Sequence, residues 1–186
     1  ECMELLFVLV PEGELRREGH TIDLAMPWQR LTVAEAFSQY ATISLDDAIA
    51  SDRFEEILIA EIEPHLGKTH PTILTEYPTS MAALARTKPD NAKVAERFEL
   101  YIAGLEVANA FSELTDPLEQ RSRFEAEEKS RRAGGKTPYP LPDKFLDELS
   151  CMPEAAGIAV GLDRLVMLIT GVENIDEVVA LSPEQL

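Results

Sequence analysis

The stretch Glu96–Leu114, ERFELYIAGLEVANAFSEL, decides how this chain folds. Phe98, Leu100 and Ile102 alternate with Arg97, Glu99 and Tyr101, the period-two pattern of a β-strand. Gly104 supplies a turn and a second run of small and apolar residues follows, so the stretch reads as a β-hairpin. Its second arm carries two carboxylates, Glu106 and Glu113, with the amide Asn109 and the aromatic Phe111 between them. In a regular strand Val107, Asn109, Phe111 and Glu113 share one face and Glu106 falls on the other. The two acids converge only where the strand bulges or bends.

Downstream, Asp116 can cap a helix with Pro117 at its first position and Glu119 in its first turn, running to Arg132 and ending at Gly134. GGKTPYPLP reads as a loop and DKFLDEL as a short helix. GIAVGLDRLVMLITG reads as a buried strand, Gly157 to Val160, entering a helix near Leu162 that ends at Gly171. Upstream, Thr32 and Glu35 form a capping box that opens a helix near VAEAFSQYA. A second helix, RFEEILIAEIE, is stopped by Pro64 and Gly67, and PTILTEY reads as a strand bounded by prolines. Helices first, then strands with helices between them, predict an α+β domain built on a mostly antiparallel sheet.

Composition narrows the function. The 186 residues, 45% hydrophobic, suffice for one sizeable domain. A net charge of −17 disfavours non-specific attraction to nucleic acid, leaving only a local basic patch around Arg121, Arg123, Lys129, Arg131, Arg132 and Lys136. No apolar run reaches membrane-spanning length and no signal peptide is visible. Cys2 and Cys151 form no CxxC or disulfide framework, which fits a reducing, cytoplasmic setting. His20, His65 and His70 have no zinc spacing and read as loop or surface residues. The chain opens without Met, inside the apolar segment ECMELLFVLV, and reads as a piece whose upstream part is missing.

Two constellations carry chemistry. A carboxylate pair can hold Mg²⁺ between phosphate oxygens, a carboxylate can bind an ammonium, and Asn can bind the polar head of an amino acid. An edge strand with one polar face accounts for Glu106, Asn109 and Glu113 equally well. In GIAVGLDR, two glycines bracket a strand that turns into a helix, and Arg164 in the first turn is placed for phosphate. A core helix whose start is merely polar at Asp163 and Arg164 is the plainer reading.

Together, ERFELYIAGLEVANAFSELTDPLEQRSRFE and MPEAAGIAVGLDRLVMLITG resemble the C-terminal part of the class II lysyl-tRNA synthetase catalytic core. The second block, at about 157–170, looks like class II motif 3. Within this group the chain looks closer to the short paralogues that attach lysine to translation elongation factor P. EPHLGKTHPTILTEYP resembles their sequence before the hairpin, TSMAALAR lacks the usual Ser-Pro, and Ala159 stands where tRNA-charging enzymes usually carry glycine. ANAFSELTDPLEQR is at least as close to the tRNA-charging enzymes.

The resemblance implies the C-terminal part of the class II catalytic domain, an antiparallel sheet flanked by helices, over residues 1–186. It implies ATP and Mg²⁺ as cofactors, and lysine or β-lysine activation to an adenylate. Transfer would go to elongation factor P or, alternatively, to tRNA-Lys; a non-catalytic binding paralogue is a third reading. Residue by residue, it makes Glu106 a Mg²⁺ and ATP ligand, lays Val107 against the nucleotide and Gly161 under the adenosine, and gives Arg164 the ATP phosphates as the catalytic cation. Asn109, Phe111, Glu113 and Ala159 line the amino-acid pocket, with Glu113 near the ammonium and sharing the metal. Motifs 1 and 2 are expected upstream, so these residues alone are expected to be inactive and the full-length enzyme to be a homodimer.

Overall fold

The computed structural model describes residues 2–17 and 19–182. The chain divides into two compact units. The first takes the chain up to Thr75, Phe98–Asn109 and the chain from Ile158 onward; the second takes Glu76–Arg97 and Ala110–Gly157.

The first unit opens with α1 (Cys2–Leu9), then the hairpin β1 (Glu14–Arg17) and β2 (His20–Asp23). Next come β3 (Gln29–Thr32), α2 (Val33–Tyr40), α3 (Leu45–Ala50), α4 (Phe54–Ile57) and β4 (Thr72–Thr75). The Thr32–Glu35 capping box forms as expected: Glu35 N–H donates to Thr32 Oγ1 at 3.1 Å and Thr32 N–H to Glu35 Oε2 at 2.7 Å. The expected helix over RFEEILIAEIE is not uniform. It loosens into a π-turn at Leu58–Ile62, where Glu63 N–H bonds Leu58 O, and closes as a 3-10 turn through Pro64. Pro64 has no N–H to give an α-helical bond, so the chain rearranges its last turn instead of stopping.

Further along the chain lie β5 (Thr87–Lys88), β6 (Asn91–Ala95), β7 (Arg97–Ile102), β8 (Leu105–Ser112), α5 (Pro117–Ala133), α6 (Asp143–Leu149), β9 (Ala156–Val160) and α7 (Leu162–Thr170). The main sheet runs β3-β4-β7-β8-β9. β4 pairs antiparallel with β7 and parallel with β3, so an antiparallel-dominated α+β fold carries one parallel edge pair. β7 and β8 form the expected hairpin. Its two-residue tip, Ala103 and Gly104, takes φ of 55° and 77°, the left-handed pair that a tight hairpin turn needs. The tip is tied down by Ala103 N–H to Gly67 O and Gly104 N–H to Leu66 O, both 2.8 Å. Gly67 is required there: its φ is +70° and a Cβ would lie 2.6 Å from Tyr101 O.

The core of this unit gathers Leu6, Leu15, Ile22, Trp28, Ile102, Val107, Leu165 and Leu168. The alternation in β7 does not separate a wet face from a dry one, because Glu99, Leu100, Tyr101 and Ile102 are all buried. A strand between two neighbours and covered on both faces buries polar residues with its apolar ones.

The second unit contains the β5-β6 hairpin and α5 and α6. Asp116 caps α5 through Leu118 N–H and Glu119 N–H, Pro117 is its first residue and Gly134 its C-cap, as expected. The basic run on and after α5 is largely engaged within the unit. Arg123 donates to Ala82 O at 2.7 Å and Ala85 O at 2.8 Å, Arg121 meets Asp143 at 2.9 Å, Arg132 pairs with Glu128, and Arg131 lies over the Tyr139 ring. His20 lies in β2 and His65 in the 3-10 turn, not in loops, and both are exposed, as is His70. Among the described residues, no helix is long and apolar enough to cross a membrane.

Candidate active site

In the first unit, β9 meets α7 at Gly161, whose N–H donates to Val107 O on β8 at 2.9 Å. That contact places the first turn of α7 beside Glu106. Arg164 Nη1 donates to Glu106 O at 2.8 Å and to its Oε2 at 2.9 Å. The guanidinium and the carboxylate are 46% and 31% exposed, so both can be reached from solvent. A Cβ at Gly161 would find its nearest neighbours at 3.6 Å, and the backbone there has an ordinary negative φ. The protein's own packing does not demand glycine at that point.

The strand β9 is not the buried strand expected from its apolar sequence. Ala156, Gly157, Ile158 and Ala159 are exposed, because β9 is the edge of the sheet with β8 as its sheet neighbour. Val107, expected against the nucleotide, turns its side chain into the core at 3% exposure and offers its carbonyl to Gly161.

On β7 and its neighbours lies a polar group that sequence reading missed. Glu99 is 5% exposed on β7 and accepts from Tyr101 Oη at 2.6 Å and from Asn109 Nδ2 at 3.2 Å. Tyr101 Oη also lies 3.1 Å from Glu63 Oε1. The available signal was the i, i+2 spacing of Glu99 and Tyr101, which puts an acid and a phenol on one strand face.

Burial pushes the Glu63 carboxyl above its ordinary pKa; the Tyr101 hydroxyl opposes this, Glu99 and Glu106 add to it, and Arg164 opposes it. A raised pKa means the folded state holds the proton more tightly than the unfolded chain does. Its stabilising share is complete below the unfolded pKa and is lost as pH rises through the folded one. Glu63→Gln is therefore expected to melt higher than the parent protein at neutral pH, with the gap closing in acid below the ordinary glutamate range. Thermal unfolding from pH 4 to 8 checks this, and a gap independent of pH would refute it.

In the second unit, Glu113 follows β8 and is half-buried. Its N–H donates to Ala155 O at 2.9 Å, and it bridges Ala85. A Cβ at Gly157 would lie 3.1 Å from Glu113 Oε1, so this glycine makes room for the carboxylate. Phe111 is half-buried. Arg86 and Glu96 flank Ser112: Ser112 N–H donates to Glu96 O, Arg86 N–H donates to Ser112 O, and the two side chains pair at 2.8 Å. Arg86, chiefly, and Ser112 hold the Glu96 carboxyl below its ordinary pKa.

Carboxylate oxygens are the donors a hard divalent cation prefers, and Mg²⁺ is commonly held by one or two of them plus substrate phosphates. Among the described residues no three His, Cys, Asp or Glu side chains gather into a metal-binding group. Glu106, reachable and held by Arg164, fits a cation that arrives with a phosphate ligand rather than one caged by protein alone.

The family model for class II tRNA synthetases (D, K and N) matches residues 2–185. The chain belongs to that family. It is 36% identical over 184 residues to the lysine–tRNA ligase of Moorella thermoacetica, covering 87% of this chain and 37% of that protein. It is 45% identical over 125 residues to the elongation factor P–(R)-beta-lysine ligase of Proteus mirabilis, covering 67% and 38%. The corresponding ligase of Erwinia tasmaniensis is 43% identical over 130 residues, covering 69% and 40%. The chain thus spans well under half the length of these relatives.

Proposed function

We propose that the intact enzyme uses ATP to activate lysine or (R)-β-lysine and passes the aminoacyl group to a lysine of elongation factor P. The observation that most favours this acceptor is the identity of 43–45% to ligases of that name, against 36% to the lysine–tRNA ligase. A substrate carboxylate oxygen attacks the α-phosphorus of ATP, the bond to pyrophosphate breaks, and an aminoacyl-adenylate forms. The acceptor amine then attacks the acyl carbon and AMP leaves. No protein base is required for the first step; alignment and charge stabilisation suffice.

In this reading Arg164 contacts the phosphates, Glu106 accompanies the metal-bound triphosphate, and the bare Gly161 backbone lies under the adenosine. Mg²⁺, when bound with ATP, draws charge off the phosphate oxygens. Asn109, Phe111 and Ala159 contact the amino acid, and Glu113 receives its side-chain ammonium. The setting is cytoplasmic and the working form a homodimer.

A second reading, charging of tRNA-Lys, is favoured by the longer match to the lysine–tRNA ligase, 87% of this chain. Incubating the intact enzyme with labelled (R)-β-lysine or α-lysine, ATP, and either elongation factor P or tRNA-Lys separates the two. Label on elongation factor P supports the proposal; label on tRNA alone replaces it with the second reading; no lysine-dependent pyrophosphate exchange overturns both.

Glu113→Gln keeps the side chain's shape and removes its charge. A hydrogen bond to a charged group contributes about 1.5–3 kcal/mol, so kcat/KM for the amino acid is expected to fall about ten- to a hundredfold, with ATP affected less. Unchanged amino-acid kinetics would remove Glu113 from the pocket.

A further inference from the structure

Glu113 and Gly157 both belong to the second unit. The backbone around Glu113 is pinned on both sides. Ser112 N–H donates to Glu96 O at 2.9 Å, Arg86 N–H to Ser112 O at 2.7 Å, Glu113 N–H to Ala155 O at 2.9 Å and Leu114 N–H to Leu84 O at 3.0 Å. Its side chain is held differently. It is half-buried, and among the described residues its carboxylate makes no hydrogen bond or ion pair. A carboxylate partly withdrawn from water and given no protein partner is a group that a cationic ligand can satisfy.

Gly157 bounds that carboxylate. Its backbone does not have the positive φ that calls for glycine, and it is exposed, so no core packing excludes a side chain there. Apart from its own chain neighbours, a Cβ at Gly157 would meet one atom within 4 Å, Glu113 Oε1 at 3.1 Å. We propose that Gly157 is a positioning residue for recognition of the substrate's side-chain ammonium: the bare backbone gives the Glu113 carboxylate the place from which it meets that cation. The proposal rests on the reading of Glu113 as the ammonium's partner.

A methyl group at position 157 lies closer to Oε1 than the 3.4 Å at which ordinary contact begins, so the carboxylate has to give by a few tenths of an ångström. The backbone bonds hold residues 112–114 in place, and the side chain takes up the shift by turning about its own torsions. A hydrogen bond from an ammonium to a carboxylate favours a narrow range of length and angle, so the displaced carboxylate holds the substrate less well. Glu113→Asp draws the carboxylate back by one methylene, away from the substrate and also away from a methyl at position 157. In that background the collision disappears.

The test is pyrophosphate exchange by the intact enzyme with lysine or (R)-β-lysine, whichever it uses better, for Gly157→Ala in the parent and in the Glu113→Asp background. In the parent, Gly157→Ala is expected to raise amino-acid KM about three- to thirtyfold, part of what a hydrogen bond to a charged group contributes, with ATP KM within about twofold. In the Glu113→Asp background the same substitution is expected to change amino-acid KM by less than about twofold, the non-additivity of two residues in contact. The melting temperature is expected to hold or rise, because glycine gives up more backbone freedom in a strand than alanine does. No rise in amino-acid KM, equal rises for amino acid and ATP, or the same rise in both backgrounds would overturn the proposal. A parent without exchange on either amino acid overturns the functional reading and this proposal with it. An active parent indifferent to Gly157→Ala overturns this proposal alone.

Discussion

Arg164→Ala in the intact enzyme is expected to lower kcat/KM for ATP in pyrophosphate exchange by about 10²–10³-fold, the scale of losing one preorganised donor to a developing charge. Two losses combine. The guanidinium that would meet phosphate in the proposed reading is gone, and Glu106 loses the donor that holds its carbonyl and its Oε2. Folding should hardly change: the pair is substantially exposed, and ion pairs of that kind contribute about 1 kcal/mol or less. Arg164→Lys is expected to fall between the two, since lysine keeps the charge but not the planar fork that can serve a carboxylate and a phosphate together. An Arg164→Ala enzyme within tenfold of the parent, at equal melting temperature, would show that Arg164 is merely a polar residue at the start of α7.

The elements legible in the sequence were those fixed by neighbours along the chain. Asp116, Pro117 and Gly134 bound α5 through contacts within a few residues, and Ala103-Gly104 turns the hairpin by local backbone geometry. The hairpin β1-β2 escaped because its strands have four residues each and a single buried aliphatic apiece, Leu15 and Ile22. Too few positions alternate there to reveal a period. The exposure of β9 was hidden for a related reason: GIAV reads as core, and only the strand order shows that it lies at an edge.

The same distinction divides the candidate site. Glu106, Asn109, Glu113 and Arg164 could be singled out because charged or amide groups interrupt runs of small apolar residues. What brings Arg164 to Glu106 is long-range. Arg164 reaches Glu106 across 58 positions of sequence, and Tyr101 reaches Glu63 across 38. Glu99 looked like the solvent side of an alternating strand, and its burial follows from neighbours supplied by distant segments. Sequence pattern can propose a charged residue as functional; only tertiary packing tells which groups orient it.

Ala159→Gly is expected to move the intact enzyme's amino-acid preference from (R)-β-lysine toward α-lysine. Ala159 is exposed on the edge strand β9, so its methyl fills no core space and its removal opens no internal cavity. The folding penalty is limited to the backbone freedom of glycine, about 0.5–1 kcal/mol. In the proposed reading the methyl would share space with a ligand lying on the strand. In that reading Glu113 receives the far ammonium, and the part of lysine nearest Ala159 would be its amino-carboxylate end. An amino group on the α-carbon is crowded by that methyl, whereas one moved a carbon further along is not. One methyl in a pocket discriminates by about ten- to two-hundredfold, so the parent enzyme should favour (R)-β-lysine within that range and the variant should lose most of the bias. Pyrophosphate exchange with each substrate on both proteins measures the two ratios. If the preference is the same before and after the substitution, β9 does not touch the substrate head. The larger share of the functional reading then passes to an ordinary lysine–tRNA ligase.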